Sequence, residues 1–397
     1  MALTREQIAT RIRTVRESLG LTQAAVATEL QVHRPAVSEI EAGRRAVSAE
    51  ELYRLSDFFG VAVAELLAEV PTEADEAAEL LALRCEDTDT LDARVSLKRF
   101  VADRRAEFEL ESLLELAHPV SDAIRRDAPT PRTVREAVEQ GDALATLERR
   151  QLGLGAEPIS SVLSILARQG VRIGQLRALP SARIDGVYFE TADLGPCVGV
   201  NMRDGDWTGG RAAFTAAHEY AHVVLRDRTR EVFQLAGGER DLQEVRANAF
   251  AAAFLMPADG IKSYFESKGM LLASQLTHLA PGDVVRAMDH FGVSRTALLF
   301  RMQNLKLVAQ ELVTALGAFS VSAVAGAAGI VFRDRGYIGT RLPELAIHSW
   351  RRGLITAGRA ADLCDTDTQG FRELMLTLGE HQETEEGGAL LGAAAVR

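Results

Sequence analysis

The chain is poor in cysteine: Cys85, Cys197 and Cys364 are the only three in 397 residues, far apart and odd in number. That excludes a disulfide-stapled secreted scaffold and suits a reducing cytoplasm. No basic-then-apolar leader opens the chain, so secretion is not expected. Basic charge is scarce too. Lys and Arg total 45 against 56 Asp and Glu, a net charge of −11, which argues against indiscriminate nucleic-acid binding and leaves any DNA contact to a local patch. Long apolar runs are nearly absent. The one charge-free stretch, Leu312 to Phe332, is mostly Ala, Gly and Ser, with Ser322, Gly326 and Gly329 small enough for close helix packing. Its few large apolar side chains predict a buried soluble helix there and no membrane span.

What is present is an ordinary globular composition, 47% hydrophobic and 25% charged, in a chain long enough for two or three domains. One stretch specifies a chemistry. His218-Glu219-Tyr220-Ala221-His222 follows the Ala-rich segment Arg211 to Ala217 and runs on into Val223, Val224 and Leu225, so it reads as helix. Residues four apart share a helix face, and His218 and His222 can therefore present imidazole nitrogens to one metal ion. Glu219 is placed to act as general base on a metal-activated water, and Tyr220 points around the helix and has no evident role.

A catalytic zinc takes three protein ligands and keeps one position open. Glu244, opening a second apolar helix, is the best third ligand, and Asn248 one turn on shares its face and is placed to brace the site. Glu239 and Asp241 are weaker candidates beside Gly237-Gly238 in an expected loop. A bare match to such a short motif can arise by chance, and the helical context with the downstream Glu is what raises it.

Phe214 to His222, Glu244 to Ala251 and Phe254-Leu255-Met256-Pro257, with Ile184-Asp185-Gly186 and Val198 to Asn201 upstream, resemble the ImmA/IrrE family of metallopeptidases over roughly residues 158–305. The resemblance implies a gluzincin-like endopeptidase with one zinc per chain on His218, His222 and Glu244, base Glu219, and repressor proteins as substrates. Arg246 departs from the family, which often has a second acidic residue there. The strands Val187-Tyr188-Phe189 and Cys197 to Asn201 are expected beside the active helix, where an edge can bind substrate backbone. A Cys197 thiolate reaching the zinc's open position would silence the enzyme. A buried, inert Cys197 is the plainer expectation.

Residues 1–68 read as five short helices. Ile8, Ile12 and Val15 mark the first, with Arg11, Arg13 and Arg16 expected on or near its outer side. Thr22 caps a second, Pro35 fits the first turn of a third that ends at Gly43, and Ser48 caps a fourth. Thr22-Gln23, Val37 to Glu41 and Gly43-Arg44-Arg45 resemble the lambda-repressor-like (XRE) helix-turn-helix family. That resemblance implies that Gln23 contacts backbone or bases, that His33, Arg34 and Ser38 face the major groove, and that Arg44 and Arg45 hold phosphates. Eight Arg against nine Asp plus Glu leave this segment at −1, so non-specific affinity is weak and a homodimer on an operator is expected. The plainer alternative is a helical bundle for protein docking.

Residues 69–155 are expected to be a helical linker or dimerisation region, acidic over Glu69 to Glu79 and helical over Thr90–Ala117 and Val134–Glu148. After Pro257, helices are expected at Gly260–Lys268, Leu271–Leu279, Pro281–Phe291 and from Ser294 to Leu305. Residues 306–397 read as a helical C-terminal region, with a helical pair over Arg341–Asp365 and a mobile tail from Glu380.

The whole is a mainly α, multi-domain chain: helix-turn-helix bundle 1–68, linker 69–155, α+β zincin-like metallopeptidase 156–305 with a small sheet, and helical region 306–397. The function expected is a cytoplasmic, DNA-binding transcriptional regulator whose zinc peptidase cleaves a co-encoded or repressor-type partner, or itself, in a stress-response or toxin–antitoxin setting. The alternative is an antitoxin-like repressor whose metal domain is structural or ligand-sensing.

Overall fold

The computed structural model describes residues 5–67, 91–116, 125–176, 185–191, 194–201, 210–225, 242–272, 275–276, 279–332 and 341–384. The fold is mainly helical and multi-domain, and it divides into two compact units: residues 1–102 with 119–338, and residues 103–118 with 339–397.

The first unit opens with α1 (Arg5–Ser18), α2 (Gln23–Leu30), α3 (Arg34–Glu41), α4 (Ala49–Phe59) and α5 (Val63–Leu66). Their ends are set by local chemistry. Thr22 accepts from the Ala25 N–H, and Ser48 and Glu51 exchange side-chain to backbone bonds in a capping box. Gln31 closes α2 with φ of 56°, the left-handed turn that lets α3 fold back on it. Ile12, Val15, Val26, Leu30, Val37, Ile40, Leu55 and Phe59 form the core of these helices.

Arg16 is not on the outer side of α1. It is buried, its Nε 2.5 Å from Glu41 Oε1, Nη2 3.0 Å from Glu41 Oε2 and Nη1 2.8 Å from the Leu21 carbonyl oxygen. A planar guanidinium matched to a carboxylate in this bidentate way can be taken out of water where a lysine point charge would not fit.

The long helix α6 (Leu91–Leu113) follows, its Lys98 ammonium on the Ser18 hydroxyl and its Phe100 ring edge-on to Phe189, centroids 5.8 Å apart. Next come α7 (Val134–Gln151), α8 (Val162–Arg168), β1 (Arg172–Leu176), β2 (Gly186–Thr191) and β3 (Gly195–Asn201). The sheet order is β1-β3-β2, with β1 parallel and β2 antiparallel to the wholly buried β3. Burial on both faces explains the near-continuous apolar run of β3. The helix α9 (Gly210–Leu225) packs on β2 and β3, α10 (Leu242–Leu255) packs on α9 and α7, and α11 (Ala258–Glu266) follows.

The helix expected in the linker, α7, is instead part of this core: Leu144 and Ala145 lie in the same apolar cluster as Ala217, Tyr220 and Phe250. Its approach to α10 is close enough that a Cβ on Gly141 would stand 2.5 Å from the Arg246 carbonyl oxygen. Two buried arginines tie the corners. Arg149 donates to the Gly155 carbonyl at 2.9 Å and to that of Phe254, and burial pushes its guanidinium down to about 10. Arg301 donates to the Met256 carbonyl at 3.1 Å and pairs with Asp142 at 2.7 Å.

Downstream the order is β4 (Leu271–Leu272), β5 (Gln275–Leu276), α12 (Pro281–Phe291) and α13 (Arg295–Asn304). The expected helix over Leu271–Leu279 is thus a two-residue antiparallel pairing, and Leu276 gives its N–H to the Leu307 carbonyl at 2.9 Å. A short leucine-rich run is ambiguous by periodicity alone, and a non-local partner decided it. The charge-free stretch is also not one buried helix. It forms α14 (Gln310–Leu316) and α15 (Val321–Ala327), bent by 78°, with Ser320 capping the second; of the two helices only Leu316 and Ala325 are buried. No single helix among the described residues is long and apolar enough to cross a membrane; this bent pair passes that test by length and composition.

In the second unit, Ala106, Leu110 and Leu114 pack on Leu342, Leu345 and Ala346 of α16 (Arg341–Arg351) and on Leu363 of α17 (Ala357–Leu363). Trp350 lies edge-on to Phe371 of α18 (Thr368–Thr384) at 5.2 Å, and Arg341 pairs with the buried Glu111. The acidic stretch Glu69 to Glu79 and residues 385–397 of the expected tail lie outside the described residues.

Breaking the buried Arg16–Glu41 pair by Arg16→Leu is expected to cost about 3–5 kcal/mol, read as faster hydrogen exchange of α1 to α3 amides in the full chain. The double change Arg16→Leu/Glu41→Leu should recover most of that protection, and no recovery would contradict the bidentate account.

Candidate metal centre and nucleic-acid interface

His218 and His222 project from one face of α9 with their Nε2 atoms 3.3 Å apart. Glu244, in the first turn of α10, brings Oε2 to 3.0 Å from His218 Nε2 and Oε1 to 3.4 Å from His222 Nε2. These three are the one group of potential metal-binding side chains that converges among the described residues, each offering an atom within 4.8 Å of the others. A tetrahedral zinc with bonds of about 2.0–2.1 Å has donor-to-donor edges of about 3.3 Å. The donor set fits the ion, and the 3.3 Å between the two imidazole nitrogens matches such an edge. Burial acts to raise the Glu244 carboxyl, yet hydrogen bonds and charge from His218 and His222 hold it well below the usual carboxylate range.

Asn248 sits one turn along α10, and its Oδ1 lies 3.1 Å from His218 Nδ1. With a metal bound, that ring nitrogen would donate to the amide oxygen and leave the Nε2 lone pair for the ion. Arg246 faces the other way, buried against α7 with Nη1 3.1 Å from Gln140 Oε1. Its place in the motif is therefore spent on helix packing and not on the donor set.

Glu219 is buried and is not one of the three converging donors. The strand β2 passes so close that a Cβ on Gly186 would stand 2.6 Å from Glu219 Oε1 and 2.5 Å from Thr215 Cγ2. A side chain at 186 would push the Glu219 carboxylate and Thr215 from these positions, a contact between distant segments that no local pattern announces.

Cys197 does not join the site. It is fully buried in β3, its Sγ 3.7 Å from the Gly195 carbonyl oxygen, and is absent from the converging donors. The inhibitory-thiolate arrangement is therefore not the one formed here, since the Cys197 sulfur is not brought to the three donors. His290 lies tilted against the Tyr264 ring, centroids 4.5 Å apart, while Glu239, Asp241 and His278 lie outside the described residues.

In the N-terminal helices, His33 and Arg34 are exposed at the start of α3, Ser38 is half-buried one turn on, and Arg44 is exposed beyond Gly43. Two expected contacts are turned inward. Gln23 Nε2 donates to Glu41 Oε2 at 2.9 Å, completing the Arg16–Glu41 pair, and Arg45 Nη2 lies 2.6 Å from Glu51 Oε1 of the α4 capping box. Both groups satisfy carboxylates of their own bundle, which local sequence does not reveal.

Residues 12–66 match the helix-turn-helix family model, and residues 167–303 match the IrrE N-terminal-like domain model of a peptidase family. No curated protein and no solved structure matches the chain. The chain thus carries a segment similar to helix-turn-helix domains and a segment similar to IrrE-like peptidase domains. The two matches fall on the two resemblances carried by Thr22 to Arg45 and by His218 to Pro257.

Replacing Asn248 by Ala should weaken zinc binding about 10-fold, the usual effect of losing a bond to a ligating imidazole. Replacing Arg246 by Met should leave it within error. Competition with a chromophoric chelator measures both, and equal losses would show that Asn248 has no special hold on His218.

Proposed function

We propose that this protein is a DNA-binding regulator that carries its own zinc-dependent endopeptidase, acting in the cytoplasm as a homodimer and on the nucleoid when bound to its operator. Its substrate is a repressor-type, co-encoded partner or the chain itself. The observation that carries the reading is the convergence of His218, His222 and Glu244 from two helices, with Glu219 next to His218 in the chain.

Zinc, when bound, supplies Lewis acidity toward the scissile carbonyl. Three protein donors leave one position open, as catalysis needs, whereas a structural zinc takes four. Asn248 holds the His218 ring in the tautomer that turns Nε2 inward. Glu219 takes the proton of the attacking water and delivers it to the leaving amine, and Gly186 keeps its carboxylate close against β2. Among the described residues β2 pairs only with β3, and its other edge offers backbone groups to an extended peptide. On the DNA side, His33, Arg34 and Ser38 face the major groove and Arg44 holds phosphate.

Incubating the zinc-loaded full chain with its co-encoded repressor-type partner should release discrete fragments of one or the other. The Glu219→Gln form should keep its metal and cut about 10²–10⁴-fold more slowly. Absence of any cleavage, or cleavage by Glu219→Gln at the parent rate, refutes the peptidase reading. With a duplex that the protein itself selects from a random pool, Arg34→Ala should weaken binding by about 1–3 kcal/mol. Undiminished binding at the same salt would remove Arg34 from the groove.

A further inference from the structure

Tyr220 lies between the two histidines in sequence and faces away from them in space, fully buried. Its ring packs on Phe250 and Phe254 of α10, centroids 6.0 and 5.8 Å away, so it spaces the helix bearing the imidazoles from the helix bearing Glu244. Its hydroxyl donates to Glu148 Oε2 of α7 at 3.2 Å. Glu148 is itself buried, and its Oε1 lies 3.0 Å from Arg126 Nη2. The Arg126 backbone N–H donates to the Val224 carbonyl oxygen at 2.8 Å, closing the C-terminal end of α9. One pair of residues thus anchors α9 at Tyr220 and again a turn later.

Burying a carboxylate costs several kcal/mol in desolvation, and apolar residues of the same volume fill such a space at less cost. A phenylalanine at 220 would keep the ring contacts. What the hydroxyl adds is direction: ring packing sets the spacing of α9 and α10, and a directional hydrogen bond sets the rotation of α9 about its own axis. Side-chain tips lie roughly 5–6 Å from a helix axis, so a turn of about 10° moves a tip by about 1 Å. Metal–ligand distances tolerate only about 0.2 Å.

We propose that Tyr220 and Glu148, held by Arg126, are positioning residues that fix the rotation of α9 so that His218 and His222 meet Glu244 in ligand geometry. The proposal rests on the metal-centre reading but uses no step of peptide cleavage, so loss of the peptidase activity alone leaves it standing.

The test compares full-length Tyr220→Phe, Glu148→Gln and, as a control for stability alone, Arg301→Met. Each is measured for zinc affinity by chelator competition, for the visible spectrum of the cobalt-loaded protein, and for the thermal midpoint without metal. Tyr220→Phe should bind zinc about 10-fold more weakly with an altered cobalt spectrum, and Glu148→Gln should shift both the same way. Arg301→Met should lower the midpoint at least as far with affinity and spectrum unchanged. Parent-like affinity and spectrum in Tyr220→Phe overturn the proposal, as does an equal affinity loss in Arg301→Met. A parent chain that takes up no zinc overturns the metal-centre reading and this one with it.

Discussion

Two unprotonated imidazole nitrogens and a carboxylate oxygen repel one another when brought to hydrogen-bonding distance with nothing between them. The structure nevertheless brings His218, His222 and Glu244 to 3.0–3.4 Å of each other. Protons or a cation must occupy the space they enclose, and a divalent ion satisfies all three lone pairs at once. Helices α9 and α10 are packed together through the core around Tyr220, Phe250 and Phe254, which α7 shares.

The holding is done by buried polar groups as much as by apolar packing. Arg149 spends a guanidinium donor on the Phe254 carbonyl oxygen, in the last turn of α10. Gly141 lets α7 lie directly on α10, and Gly186 lets β2 lie directly on Glu219. Each device acts between segments far apart in sequence, so the site is a property of the packed core and not of its motif. The Arg16–Glu41–Gln23 cluster is the counterpart in the N-terminal helices: a satisfied charge network that sets α1 against α3 and leaves the exposed start of α3 to contact a partner.

What could be read from the sequence was local. Spacing by four put His218 with His222 and Glu244 with Asn248, and N-cap chemistry at Thr22, Ser48 and Ser294 marked helix starts that the structure has. What could not be read was non-local. Arg16, Gln23 and Arg45 look like surface cations and amides until their carboxylate partners are seen, and Tyr220 meets a glutamate 72 positions away. The strand β1 is not legible in the sequence because Arg172-Ile173-Gly174-Gln175-Leu176 is short and gains its identity from pairing with β3. The same limit explains α7, whose Leu144 and Ala145 gave no sign of belonging to the core around the site, and the bent pair α14 and α15, whose break at Gly317 to Ser320 interrupts a run that periodicity joins.

The central claim is that one ion is held by two imidazoles and one carboxylate. X-ray absorption at the zinc edge of the loaded full-length protein tests it most directly. The account predicts a first shell of light atoms only at about 2.0–2.1 Å, with outer-shell scattering from two imidazole rings. A sulfur shell at about 2.3 Å, or scattering from fewer than two imidazoles, would contradict it.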